Sequence, residues 1–129
     1  MFQITKQSDY ALRLLVELMN KKEAAPLSLK KFAEKQNISF LFLQKIAGKL
    51  RSADIIKSEQ GKSGGYVLAG KPDKISLKDI FEALEGPCSV IECASHPCPL
   101  AGKCSTKGAL GKLNMKIDKA LKEIKLSDF

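Results

Sequence analysis

Two short helical patterns meet at Asn37-Ile38-Ser39, and the second is followed at once by a glycine-rich hairpin; that succession leaves few folds open. Ser28 stands as an N-cap after Pro26-Leu27, and the helix it starts runs to about Gln36. Ser39 is a second cap, opening a helix from about Phe40 to Ser52. Two helices joined by so brief a turn make the helix-turn-helix outline. Downstream, the strand-like runs Ile55-Ile56-Lys57-Ser58 and Tyr66-Val67-Leu68 flank Glu59-Gln60-Gly61-Lys62-Ser63-Gly64-Gly65, which predicts a two-stranded wing with an uncluttered tip. Gly61-Lys62-Ser63 is not a phosphate-binding P-loop, because the upstream glycine is missing at the required spacing and a strand follows instead of a helix. The expected fold class is mostly α (α+β): a winged helix-turn-helix domain with a two-stranded wing and a long C-terminal helix.

The helix after Ser39 is two-faced. Leu43, Ile46, Ala47 and Leu50 form an apolar stripe, while Gln44, Lys45, Gly48 and Lys49 occupy the other side. Residues 39–53 contain no acid, only Lys45, Lys49 and Arg51. A helix of that diameter fits the major groove of B-DNA, the alternative being a solvated cationic surface. Gln60, Lys62 and Ser63 on the wing have the chemistry to bond phosphates or a minor-groove edge. The charge balance agrees: 22 basic against 14 acidic residues give +8, and residues 1–74 hold most of the excess. Such a cationic half attracts polyanions, whether DNA, RNA or an anionic membrane. No apolar run approaches the ~18–20 residues needed to span a bilayer.

The flanking segments read as support. Ala11, Leu14, Leu15 and Leu18 make an amphipathic stripe over residues 8–21. Ser76-Leu77-Lys78-Asp79 has capping-box spacing and opens a helix to about Glu85 with Ile80, Phe81 and Leu84 inward, ended by Gly86-Pro87. From Ser105 a long helix carries Leu110, Leu113, Ile117, Ala120 and Ile124 in a heptad seam. At about 20 residues and ~1.5 Å each it would reach ~30 Å, which favours pairing with a second copy over packing back on the first helix. The organisation expected is therefore 1–86 for DNA reading, 87–104 for a cysteine-rich loop, and 105–129 for dimerisation and tail. A two-fold dimer would place two reading helices on half-sites of a near-palindromic operator.

Cys93, Cys98 and Cys104 lie in the loop, among glycines and prolines that disfavour a packed core. Soft thiolates at this density suit an iron–sulfur cluster, zinc or Cu(I), with one coordination position left to another donor. Zinc with His96 completing a Cys3His set, two disulfides, and metal-free thiols are the alternatives. Disulfides conflict with the opening Met1-Phe2-Gln3-Ile4-Thr5-Lys6, which has no apolar signal core and predicts retention in the reducing cytoplasm. Cys88 stands outside the tight group and reads as an ordinary half-buried thiol. One histidine, no paired carboxylates and no nucleotide loop leave little equipment for an enzyme.

Tyr10-Ala11-Leu12-Arg13, Ile38-Ser39 with Leu43, Leu50-Arg51, Gly61 with Gly64-Gly65-Tyr66, Ile75 with Leu77, and Glu85-Gly86 followed by three cysteines together resemble the Rrf-type transcription regulators, the group containing IscR and NsrR. The resemblance covers essentially the whole chain. It implies a homodimeric winged-helix repressor or activator whose Cys93, Cys98 and Cys104 hold a 2Fe-2S or 4Fe-4S cluster that senses nitric oxide, redox state or iron–sulfur supply. The IscR-like branch has a histidine where this chain has Lys107, whereas the NsrR-like branch resembles it at Asp9, an aspartate supplied by the partner subunit as fourth ligand. On the DNA side the resemblance implies contacts from Ser28, Ser39, Leu41, Gln44, Lys45, Lys49, Arg51, Gln60, Lys62, Ser63, Gly64 and Tyr66. Gln44 falls at a base-reading position, and Gln60 where many members place an arginine.

Overall fold

Thr5 starts the first helix: its hydroxyl accepts the Ser8 N–H at 3.1 Å and caps α1, Lys6–Asn20, two residues earlier than the apolar stripe implied. The computed structural model describes residues 3–21, 25–60, 64–94, 97–100 and 102–129. Ser28 caps α2, Leu29–Gln36, by accepting from the Lys31 N–H, and Ser39 caps α3, Phe40–Ser52, by accepting from the Phe42 N–H. Between them Asn37 takes the left-handed conformation (φ 54°, ψ 47°), a role its short polar side chain tolerates, and turns the chain between the two helices.

β1, Ile56–Glu59, pairs antiparallel with β2, Gly65–Leu68, in the register Ile56–Leu68 through Glu59–Gly65. One residue further back in the chain joins this ribbon. Leu27 and Tyr66 exchange both backbone hydrogen bonds at 3.0 Å, so the segment entering α2 is stitched to the wing. Gly65 makes that possible, since a Cβ there would run into the Leu27 carbonyl.

A 3₁₀ turn, Pro72–Lys74, leads into α4, Leu77–Glu85, whose capping box between Ser76 and Asp79 forms with both bonds present. After the cysteine loop comes α5, Lys107–Glu123. It begins two residues later than Ser105, and its 17 residues amount to about 26 Å at ~1.5 Å each. α5 packs beside α4, where Lys78 bridges to Asp118, which also pairs with Lys122 at 2.7 Å.

The core lies between α1, α3, α4 and the base of the wing. Leu14, Leu15, Leu43, Ile46, Leu50, Ile56 and Ile80 are completely or almost completely buried, each contributing about 1.5–3 kcal/mol by apolar burial. Leu126, from the 3₁₀ turn that follows α5, is the eighth. The tail reaches it by strand-like pairing: the Leu77 N–H donates to Ile124 O at 2.9 Å and the Leu126 N–H to Ile75 O at 2.8 Å. The tail residues Ile124 and Leu126 are thus paired with the segment that opens α4.

Candidate nucleic-acid interface and cysteine loop

α3 turns Leu43, Ile46, Ala47 and Leu50 inward, each completely buried. At 3.6 residues per turn the opposite line is Leu41, Lys45 and Gly48, with Phe40, Gln44 and Arg51 on one flank and Lys49 on the other. Leu41 is 71% exposed and Phe40 39%, unusual for large apolar side chains on a helix with a well-formed inner face. Gln44, Lys45 and Arg51 are exposed beside them. Ser28 and Ser39 sit at the helix starts with their oxygens occupied as caps. On the wing, Gln60 is exposed, Gly64 is half-buried with φ 59°, and Tyr66 packs its ring against the core. Lys62 and Ser63, expected at the wing tip, lie outside the described residues.

Lys49, expected among the DNA contacts, lies on the flank of α3. Its ammonium turns along the flank toward α1 and α4, donating to Gln7 Oε1 at 3.0 Å and to Leu84 O at 3.1 Å. There it meets the last turn of α4, where a cation complements the helix dipole. Glu85, one residue on, would be disfavoured at that C-terminal end, yet Gln7 Nε2 donates to its carboxylate at 3.1 Å, with Thr5 and Ser8 hydroxyls also donating. These groups belong to the start of α1, whose dipole favours an anion. The Thr5 bond first, then that from Gln7, holds the Glu85 carboxyl below its ordinary range. Glu85 and Gln7 thus tie α4 to α1, and Lys49 joins α3 to both, contacts no motif announced.

The cysteine loop begins against α5, where the Val90 N–H donates to Asn114 Oδ1 at 3.0 Å. All four cysteines are free thiols: Cys93 is exposed, in the 3₁₀ turn Glu92–Ala94, whereas Cys88, Cys98 and Cys104 are half-buried. Burial pushes the Cys88 thiol up. The Cys104 thiol is pushed down, first by the Thr106 hydroxyl at 3.3 Å and then by the Thr106 and Lys107 backbone N–H groups at the start of α5. Cys104 does not directly precede the helix as expected, but the N–H groups at that terminus still reach it.

The donor set suits thiolate-bound iron in kind, being free, accessible sulfur with one member favoured as thiolate. Among the described residues, no three His, Cys, Asp or Glu side chains gather as a metal-binding group, so Cys93, Cys98 and Cys104 share a loop without converging. His96 lies outside the described residues. Asp9 Oδ2 is 3.1 Å from Arg13 Nε, an ion pair one helical turn along α1. Along α5 no residue is buried, and Leu110, Leu113, Met115 and the capping Ile124 are exposed. Beside it, an apolar hollow of about 660 Å³ is lined by Ile4, Leu77, Phe81, Val90, Ile117 and Leu121 among others. Among the described residues no helix is long and apolar enough to cross a membrane.

Residues 4–129 match the family model Rrf2, described as an iron-dependent transcriptional regulator. The chain is 40% identical over 90 residues to the HTH-type transcriptional regulator CymR of Bacillus subtilis, a match covering 70% of this chain and 65% of that protein, just under two thirds of its length. The solved structure of CymR, described as the global cysteine regulator of B. subtilis, superposes with a TM-score of 0.79 at 32% identity, covering 99% of this chain and 95% of that one. The structure of T. potens IscR matches with a TM-score of 0.76 at 30% identity over 98% of this chain and 85% of that one. By sequence, the regulator NsrR of Halalkalibacterium halodurans is 30% identical, with 98% of this chain and 88% of that protein covered.

Proposed function

The chain belongs to the Rrf2 family of transcriptional regulators, and we propose that it is a cytoplasmic, homodimeric DNA-binding regulator whose cysteine loop carries an iron–sulfur cluster and adjusts operator binding. It is a regulator and not an enzyme. The observation that carries the DNA half is the outward face of α3: an acid-free surface with Leu41, Gln44 and Lys45 exposed, held rigidly by the caps and by the Lys49–Gln7–Glu85 contacts behind it. Gln44 has the bidentate amide that pairs with adenine N6 and N7, Leu41 the apolar surface that suits a thymine methyl, and Lys45 and Arg51 charge for phosphates. Gln60, Gly64 and the wing tip would track the adjacent backbone. Leu110 and Leu113, exposed along α5, are the surface for the second copy, and two-fold pairing would set two α3 helices on a near-palindromic site.

Cys93, Cys98 and Cys104 would hold the cluster, with Asp9 of the second copy as the oxygen donor after releasing Arg13. Such a cluster supplies iron that reacts with nitric oxide and changes oxidation state. The chain's own part is mechanical. The loop leaves α4 at Glu85, is pinned to α5 at Asn114, and re-enters α5 beyond Cys104, while Glu85 and Leu84 are bonded to α1 and α3. A rearranged loop therefore pulls on the end of α4 that also sets the tilt of α3.

The cysteines that do not gather, together with the likeness to CymR, favour a second reading, a metal-free regulator that reads DNA without a cluster, with a zinc-stabilised form as its variant should the loop close around a metal. Anaerobic purification followed by absorption spectroscopy and iron, sulfide and zinc analysis decides between them. Visible charge-transfer absorption with matching iron and sulfide supports the cluster; a colourless dimer that binds DNA refutes it.

A further inference from the structure

Glycine is the least favourable residue in a helix interior after proline, and Gly48 occupies the middle of α3. The usual reasons for tolerating one are missing. Gly48 is not among the glycines with positive φ, and a Cβ added there meets nothing within 4 Å among the described residues. Gly65 shows the contrast, because there the chain itself fills the space a side chain would need. Packing within the described residues thus gives no reason for glycine at position 48, and its place on the outward face of α3 is what sets it apart from Gly108 and Gly111 of α5, which are equally unobstructed.

Gly48 sits two turns along the outward line from Leu41 and one turn beyond Gln44 and Lys45. One turn further on, Ser52 Oγ donates back to the Gly48 carbonyl at 2.9 Å, folding its side chain down onto the helix. The centre of the reading face is thus bare backbone for about a turn. A helix with its side chains is ~10–12 Å across and the major groove ~12 Å wide, so clearance on the line of approach is under a methyl group. We infer that Gly48 is the point of closest approach between α3 and DNA, its missing side chain setting the depth at which Gln44 and Leu41 reach the bases. This rests on the DNA-reading function proposed above.

The test compares Gly48→Ala and Gly48→Leu with wild type, both being better helix formers than glycine. The probe is a duplex enriched by the wild-type protein from a randomised 24-bp pool, with a scrambled duplex of equal composition as control. Thermal melts should show both variants as stable as wild type or more so. Binding to the enriched duplex should weaken by about tenfold in Gly48→Ala, the scale of losing one good base contact, and fall to the scrambled level in Gly48→Leu. Gly48→Leu binding within twofold of wild type overturns the inference. Equal losses in the two variants also overturn it, since they would assign Gly48 to helix flexibility instead of clearance. If wild type enriches no duplex at all, the DNA-reading function falls first and this inference with it.

Discussion

Lys45 and Lys49 lie one helical turn apart on the same acid-free helix, yet the fold gives them different work, and replacing each by alanine separates the two roles. Lys45 is exposed on the outward line of α3. If it neutralises a phosphate, a homodimer loses two contacts per operator in Lys45→Ala. At about 0.9 per phosphate, the slope of log K against log salt should then flatten by about 1.8. Between ~50 and ~200 mM salt that is a change of about twelvefold in the ratio of wild-type to mutant affinity, largest at low salt. Lys49→Ala removes two charge-assisted hydrogen bonds, at 3.0 and 3.1 Å, that join α3 to α1 and α4. Because the residue is exposed, about 1 kcal/mol is the appropriate scale, or a fall of roughly 3–5 °C in melting temperature. Its salt slope should stay near wild type. Fluorescence anisotropy across that salt range, with thermal melts of the same samples, reads both quantities. A Lys49→Ala protein with unaltered stability and a slope flattened as much as Lys45→Ala would refute the reasoning, showing that the lysine leaves Gln7 and Leu84 to meet DNA.

Three further outcomes follow from the same geometry. The Glu85 carboxyl titrates below its unfolded value, so its contribution is present above the ordinary carboxylate range and lost as pH falls through the depressed folded value; Glu85→Gln should melt below wild type near pH 7 and converge with it as pH falls below that depressed value, and parallel curves would exclude the linkage. Leu126→Ala, at a completely buried site, should cost about 2–5 kcal/mol, whereas Met115→Ala, 72% exposed, should leave the melting of dilute protein within about 2 °C; equal effects would contradict the packing. Alanine at Cys93, Cys98 or Cys104 should remove visible absorption from anaerobically prepared protein, while Cys88→Ala keeps it; loss with Cys88→Ala alone would place the cluster elsewhere.

What the sequence disclosed, and what it hid, divides by distance along the chain. Ser28, Ser39 and Ser76 cap the expected helices because a cap is decided within three or four residues. The inner stripe of α3 was legible for the same reason: periodicity fixes which side faces the core. It does not say which neighbour a flanking residue meets, and the direction of Lys49 depends on where α1 and α4 lie. The Leu27–Tyr66 pairing joins residues far apart in sequence, and the close approach of the Leu27 carbonyl that makes glycine necessary at position 65 is visible only in the fold. Leu126 is a lone apolar residue after a helix, without the repeat that would mark it as core. The cysteine spacing announced donor chemistry and left the arrangement of the donors open.

The burial of Leu126 sets an order of manufacture. Synthesis proceeds from the N-terminus, so α1 to α4 and the wing emerge before the cysteine loop, and the loop before the residue that completes their core. A nascent chain that stops short of α5 has the reading helix but lacks the leucine that completes the core beside α1 and Ile75. The body that carries α3 is therefore fully consolidated only once the cysteine loop has also been made, so on the function proposed above the reading helix and the loop mature together.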